Sequence, residues 1–174
     1  MPSDNRALPE QLVQRGVELL EREGMAAVSL RAITRATGVS HGAPRRYFPT
    51  HNALLAAIAR VGLTDLAAEL QATRSLVDAA HTYVDFARRR PAMFELMFRH
   101  DILDGAGADL RSISLPLFDA FAQQLPSATD AVALWSAVHG IAVLSANRSF
   151  DLVARGTDRA AVIEAIVAAH RPSR

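Results

Sequence analysis

Apolar residues recur at intervals of three and four from Leu12 to Val167, and no alternating stretch long enough to form a strand interrupts them. That spacing places side chains on one face of an α-helix, so the chain is restricted to packing helix against helix. Leu12, Val13, Gly16, Val17, Leu19 and Leu20 predict an amphipathic helix over 8–23, which Gly24 can end in a left-handed conformation. Ser29 can cap a second, short helix with Leu30, Ile33 and Ala36 facing inward and Arg31 and Arg35 outward, until Gly38 stops it. Ser40 can cap a third. From Asn52, the run Leu54, Leu55, Ile58, Val61, Leu66 and Leu70 predicts a long connecting helix despite Gly62. Further helices are expected over 75–90, 91–100, 109–124, 129–154 and 158–170, punctuated by Pro91, Gly105, Gly107, Pro126 and Gly156. The fold expected is all-α, with about nine helices.

At 174 residues the chain can build one good-sized core or two small ones, and half of its residues are hydrophobic. Its net charge of +1 advertises no nucleic-acid partner, so any surface for one must come from local clustering. All 19 basic residues are Arg, from which no function follows. The absence of Cys excludes disulfides, thiolate metal sites and thiol nucleophiles. Acidic residues Asp4, Glu10, Glu18, Glu21 and Glu23 interrupt the first 25 positions, so no secretory signal and a cytoplasmic location are expected. The uncharged stretch from Ala131 to Ala146 falls short of the roughly 20 residues that cross a bilayer and reads as a buried helix, with no membrane partner.

Residues 29–48 read SLRAITRATGVSHGAPRRYF: a short helix, a Gly-Val-Ser turn and a second short helix. This arrangement lets one helix lie in the major groove of double-stranded DNA. Within 29–51 stand Arg31, Arg35, Arg45 and Arg46 and no acid, which supplies the local basic patch. Ser40 leaves backbone N–H groups at a helix start, where the dipole favours phosphate, and small Gly42 and Ala43 let the backbone approach the duplex. His41, Arg45, Arg46 and Tyr47 can then reach phosphates or base edges, and an arginine can take guanine O6 and N7 bidentately. A solvated arginine-rich loop is the bland alternative; the agreement of turn chemistry, caps and charge speaks against it.

Gly24, Ser29-Leu30-Arg31, Ile33, Gly38-Val39-Ser40, Gly42, Tyr47-Phe48 and Leu54-Leu55 together resemble the N-terminal domain of the TetR family of transcriptional regulators, over about a quarter of the chain. The resemblance implies a DNA-binding domain over 1–50, with the start of its connecting helix reaching about 55, and a helical effector-binding and dimerisation domain over 51–174. It implies that Ser29, Ser40, Gly42 and Tyr47 hold phosphates and that Val39 and Phe48 are core. Two positions depart from the family pattern. Pro44 stands where an aliphatic residue is usual, so the recognition helix is expected to start late or with a looser turn. Arg45 stands where a phosphate-binding Tyr is usual and offers a charged contact in its place.

YVDFARRRPAMFELMF at 83–98 and LWSAVHGIAVL at 134–144 resemble TetR-like C-terminal domains with a Trp-His-Gly signature, here Trp135, His139 and Gly140. Independently, the 129–154 helix carries Val132, Trp135 and Ala142 on one face and Leu134, Val138, Ile141 and Ser145 on another, so it needs two partners. With the small residues Ala160, Ala161, Ala165 and Ala168 of the last helix, it predicts a two-fold homodimer that sets two recognition helices on a palindromic operator. The expected function is a ligand-responsive repressor. Phe86, Met93, Phe94, Met97, Phe98, Phe118, Phe121, Trp135 and His139 are candidates for contacting an unknown small-molecule effector, core packing being the ordinary alternative for each. Arg88-Arg89-Arg90 offers either an anion site or cations at a helix C-terminus. Nothing calls for a cofactor or metal. An enzyme built on His139, or on His100 and Asp101, lacks every catalytic motif, and a TetR-like ligand binder without specific DNA remains the other alternative because of Pro44.

Overall fold

A computed structural model describes residues 7–37 and 43–170. α1 (Leu8–Glu23) opens with Pro9 in its first turn and ends at Gly24, whose φ of 80° favours a residue without Cβ. A 3₁₀ turn, Met25–Ala27, leads to α2 (Leu30–Thr37), where Ser29 Oγ accepts the Ala32 N–H at 3.1 Å. α3 (Ala43–Tyr47) has Pro44 in its first turn, where an absent N–H leaves no intrahelical bond unmade. Gly38, Val39, Ser40, His41 and Gly42 lie outside the described residues, and with them the expected Ser40 cap.

α4 (His51–Gln71) is capped by Thr50 Oγ1, which accepts the Ala53 N–H at 3.0 Å. Its 21 residues make a rod of roughly 30 Å at 1.5 Å per residue. α5 (Leu76–Arg89) starts at the Ser75 cap, and Pro91 opens α6 (Pro91–Met97). α7 (His100–Leu103), α8 (Arg111–Ala122), α9 (Ala128–Ala146), α10 (Phe150–Ala154) and α11 (Arg159–Ala169) complete the molecule. α1 packs on α2, α3 and α4; α5 packs on α9 and α11, and α6 lies between α1, α4 and α5.

The described residues thus hold eleven α-helices rather than about nine: α7 adds a short helix past the end of the one expected over 91–100, and the one expected over 129–154 is broken in two. Phe98 and Arg99 leave helical geometry between α6 and α7. Arg148, with φ of 61°, ends the long C-terminal helix after α9. There Asn147 Oδ1 accepts the Ser149 N–H at 3.0 Å, a local bond that competes with helical continuation. α9 also differs from the fully buried helix expected. Ala131, Leu134, Val138, Ile141 and Ala142 are buried against the body, while Val132 and Val143 face solvent. By length and composition alone this 19-residue helix resembles a membrane span, but its buried face packs on α5, α8 and α11.

Two close approaches and one ion cluster join the N-terminal helices to the rest. At Gly16 a Cβ would collide with Ile58 of α4 and lie 3.3 Å from Ile33 of α2, so glycine lets three helices meet. At Gly62 a Cβ would lie 2.5 Å from Met93 Sδ, so α6 rides directly on the α4 backbone. Arg90, between α5 and α6, donates through Nε to Glu21 of α1 and through Nη1 to Asp65 of α4 at 2.7 Å. Partial burial opposes its charge, but the bonds and charges of Asp65 and Glu21 outweigh that and hold its pKa above the ordinary arginine value. Arg88 pairs with Asp85 and Arg89 with Glu69, so all three arginines of this run are already engaged by carboxylates.

The Gly16 contact yields a stability prediction. Gly16→Val is expected to destabilise the fold by about 2 kcal/mol through overpacking, despite replacing a helical glycine. Thermal unfolding should show a midpoint lowered by about 4–8 °C; an unchanged midpoint would mean that α1 and α4 are free to separate.

Candidate functional site

Helices α2 and α3 sort their residues by face. Ile33, Thr34 and Phe48 are buried, whereas Arg31, Arg35, Arg45, Arg46 and Tyr47 are exposed. None of these four arginines takes part in an ion pair among the described residues, while Arg15, Arg22, Arg88, Arg89, Arg90, Arg99 and Arg111 all do. The cause is visible in the sequence: residues 24–64 contain no Asp or Glu, a longer acid-free stretch than 29–51 alone. The Ser29 hydroxyl is bonded to the first turn of α2. Ala43 opens α3; Ser40, His41 and Gly42 are outside the described residues. Unpaired cations on two short helices, with no carboxylate to neutralise them, form a surface suited to phosphate.

A second feature lies on the other side of α4. A cavity of about 780 Å³ opens between α4, α5, α8 and α9, within the range of small-molecule sites. Met97, Phe98, Phe118, Phe121 and Trp135 line it, together with Leu66, Tyr83 and Leu134. Phe86, Met93 and Phe94 do not line it but belong to the closed core. Phe86 lies under the Arg90 guanidinium at 5.4 Å, Met93 lies against Gly62, and Phe94 meets Tyr83 edge-on at 5.5 Å between centroids. Tyr83 was not among the expected contacts; that it reaches the cavity depends on how α5 is rotated, which spacing does not specify.

His139 stands one layer behind the wall. It stacks on Trp135 at 5.2 Å, meets Phe98 edge-on at 4.5 Å, and its Nδ1 is hydrogen-bonded to the Tyr83 hydroxyl at 2.8 Å. Burial lowers the His139 pKa and keeps the imidazole neutral, and burial likewise raises that of Tyr83. Elsewhere, Asp101 is held below the usual carboxylate range by hydrogen bonds from Arg99, and His100 is exposed, so the two do not assemble with a third group. Among the described residues no cluster of three His, Asp or Glu can hold a metal ion.

Residues 12–58 match the family model described as bacterial regulatory proteins, tetR family, and residues 76–170 match that of the tetracyclin repressor-like C-terminal domain. The chain belongs to the TetR family. Solved structures agree in fold. A protein of unknown function from Rhodococcus sp. RHA1 is 27% identical with a TM-score of 0.75, covering 97% of this chain and 94% of its own. The regulator SCO7222 from Streptomyces coelicolor, a TetR, is 19% identical with a TM-score of 0.64 and covers 92% of this chain and 88% of its own. The multidrug binding protein EbrR, solved with ethidium, is 16% identical with a TM-score of 0.71, covering 95% and 99%. No curated protein sequence matches the chain. This TetR-family member is therefore a transcriptional regulator by family, with a helix-turn-helix in its N-terminal part and a helical C-terminal part.

The half-buried imidazole of His139 yields a pH prediction. Its folded pKa lies below the unfolded value of about 6.5, so the unfolded chain binds the proton more readily. Stability contributed by neutral His139 is complete above that value and is lost as pH falls through it toward the folded pKa. In His139→Gln, which keeps a polar partner for Tyr83, the drop in unfolding midpoint between about pH 7 and pH 5.5 should be smaller than in the parent. Equal drops in both would remove His139 as the cause.

Proposed function

We propose that this TetR-family protein is a ligand-responsive repressor that acts as a cytoplasmic homodimer on a palindromic operator. The observation that carries the reading is the set of four unpaired arginines, Arg31, Arg35, Arg45 and Arg46, exposed on α2 and α3 of an acid-free segment. The division of labour follows the connecting helix: residues up to about 50–55 grip DNA and the remainder senses and dimerises. Arg31, Arg35, Arg45, Arg46, His41 and Tyr47 are the candidates for phosphate and base-edge contacts, with Ser29, Ser40 and Gly42 as further phosphate contacts and small Ala43 letting the duplex approach.

The dimer reading is supported by an apolar face that the chain leaves uncovered. On α9 the exposed Val132, Ser136 and Val143 flank Gly140, where a Cβ would meet nothing within 4 Å. A glycine inside a helix costs about 1 kcal/mol relative to alanine, and no neighbour within the chain requires it. Close approach of a second helix would. Ala161, Ala165 and Ala168 of α11 are also exposed, and on α10 Leu152 and Val153 are 77% and 71% exposed. EbrR, a relative in fold, was solved with small aromatic molecules, which supports an effector role for the cavity here. Arg60 of α4 supports coupling: its Nη1 donates to the backbone carbonyls of Ala108 and Asp109, at 2.8 and 3.1 Å, at the entry to α8.

Two experiments decide the reading. In a salt titration with the DNA flanking the gene, Arg45→Ala with Arg46→Ala should weaken binding and flatten the dependence of log K on log salt by about two, with the dimer intact. Unchanged affinity and slope would remove the phosphate role. By light scattering, Gly140→Leu should shift the dimer toward monomer without loss of helix content; a dimer of unchanged stability would move the interface elsewhere.

A further inference from the structure

The cavity is bounded by a helix that does not complete a core. α8 carries Ile113, Leu117, Phe118 and Phe121, yet none of its residues is fully buried. An amphipathic helix ordinarily presses its apolar stripe against other side chains; part of this stripe borders the cavity instead. Phe118 meets Trp135 edge-on at 6.2 Å and lies tilted against Phe121 at 5.9 Å between centroids, so an aromatic cluster stands in a wall otherwise made largely of leucines.

The distribution of charge around the cavity restricts what can enter. Among the described residues no charged side chain is buried. Arg74, His100, Asp104, Asp109 and Arg111 touch the cavity but are exposed. The two acids balance the two arginines, and Arg111 donates to Asp104 at 3.3 Å. The deeper polar atoms, the Tyr83 hydroxyl and His139 Nδ1, are bonded to each other. An ion drawn between these walls would lose its hydration and gain no buried counter-ion; the ring faces would repay an organic cation only part of that loss and an anion none of it, whereas an uncharged ring system would gain stacking and burial.

We propose, resting on the effector-sensing reading above, that the cavity takes an uncharged, largely apolar aromatic molecule in preference to an organic cation or anion. Its volume of about 780 Å³ suits a molecule of drug size.

Trp135 is the only tryptophan and lines the cavity, so its fluorescence reports occupancy in the full-length protein. The probes are N-phenyl-1-naphthylamine, which is uncharged, 8-anilinonaphthalene-1-sulfonate, which adds a sulfonate to the same rings, and ethidium, a permanent cation. The uncharged probe should quench Trp135 saturably, with a Kd at least about tenfold below that of either ion, equivalent to about 1.4 kcal/mol. If the sulfonate or ethidium binds equally well or better, the charge assignment is overturned while the cavity stands as a ligand site. If none of the three binds saturably to the folded dimer, the effector-sensing reading of the cavity falls with it. Ala79→Phe should weaken the uncharged probe at least about tenfold by filling space, with Ser114→Phe on the opposite wall as the second variant. Unchanged binding in both folded variants would place the probe outside the cavity and overturn the proposal.

Discussion

Helix α4 buries Leu54, Leu55 and Ile58 among the N-terminal helices and Leu63 and Leu66 among those that follow, so the two halves of the chain share one rod. A helix buried at both ends cannot shift relative to one half without disturbing the other. The close approaches at Gly16 and Gly62 make that constraint tight, because at each a side chain packs against bare backbone. Arg90 adds a third tie, joining the α5–α6 corner to Glu21 and Asp65 on two other helices. Its guanidinium is about one-fifth exposed, so the tie fixes geometry more than it adds stability.

Arginines in two parts of the chain meet different surroundings. Those of α5 and its C-terminal corner lie within reach of Asp85, Glu69, Asp65 and Glu21 and serve the fold. Those of α2 and α3 lie in a stretch without acids and remain available. A net charge of +1 therefore conceals a separation of charge along the sequence rather than a lack of it.

How much was legible follows from what each feature depends on. The bounds of α1, the Gly24 ending, the Ser29 cap and the inward Ile33 rest on local chemistry, and the spacing of residues displays it. The break after α9 was missed because it turns on Arg148 adopting φ of 61°, a conformation that an arginine does not advertise. The cavity was legible as an aromatic-rich region but not residue by residue. Phe86, Met93 and Phe94 belong to the core, whereas Met97 and Phe98, only a few residues on, line the cavity. That difference is set by where α4 and α8 lie, a long-range matter absent from helical periodicity.

Arg60 connects these parts physically. It sits on α4 between the buried Ile58 and Leu63, and its guanidinium holds the Ala108 and Asp109 carbonyls where the chain enters α8. Asp109, at φ of 46°, and Gly107, at φ of 91°, make that entry a sharp, conformationally specific turn. A molecule seated beneath α8 would pack against its apolar stripe. Any resulting movement of α8 pulls on a turn bonded to α4 at the level where α4 leaves the N-terminal helices. On the effector-responsive reading proposed above, a ligand would bias the position of α4 only by binding two arrangements of α8 with different affinity.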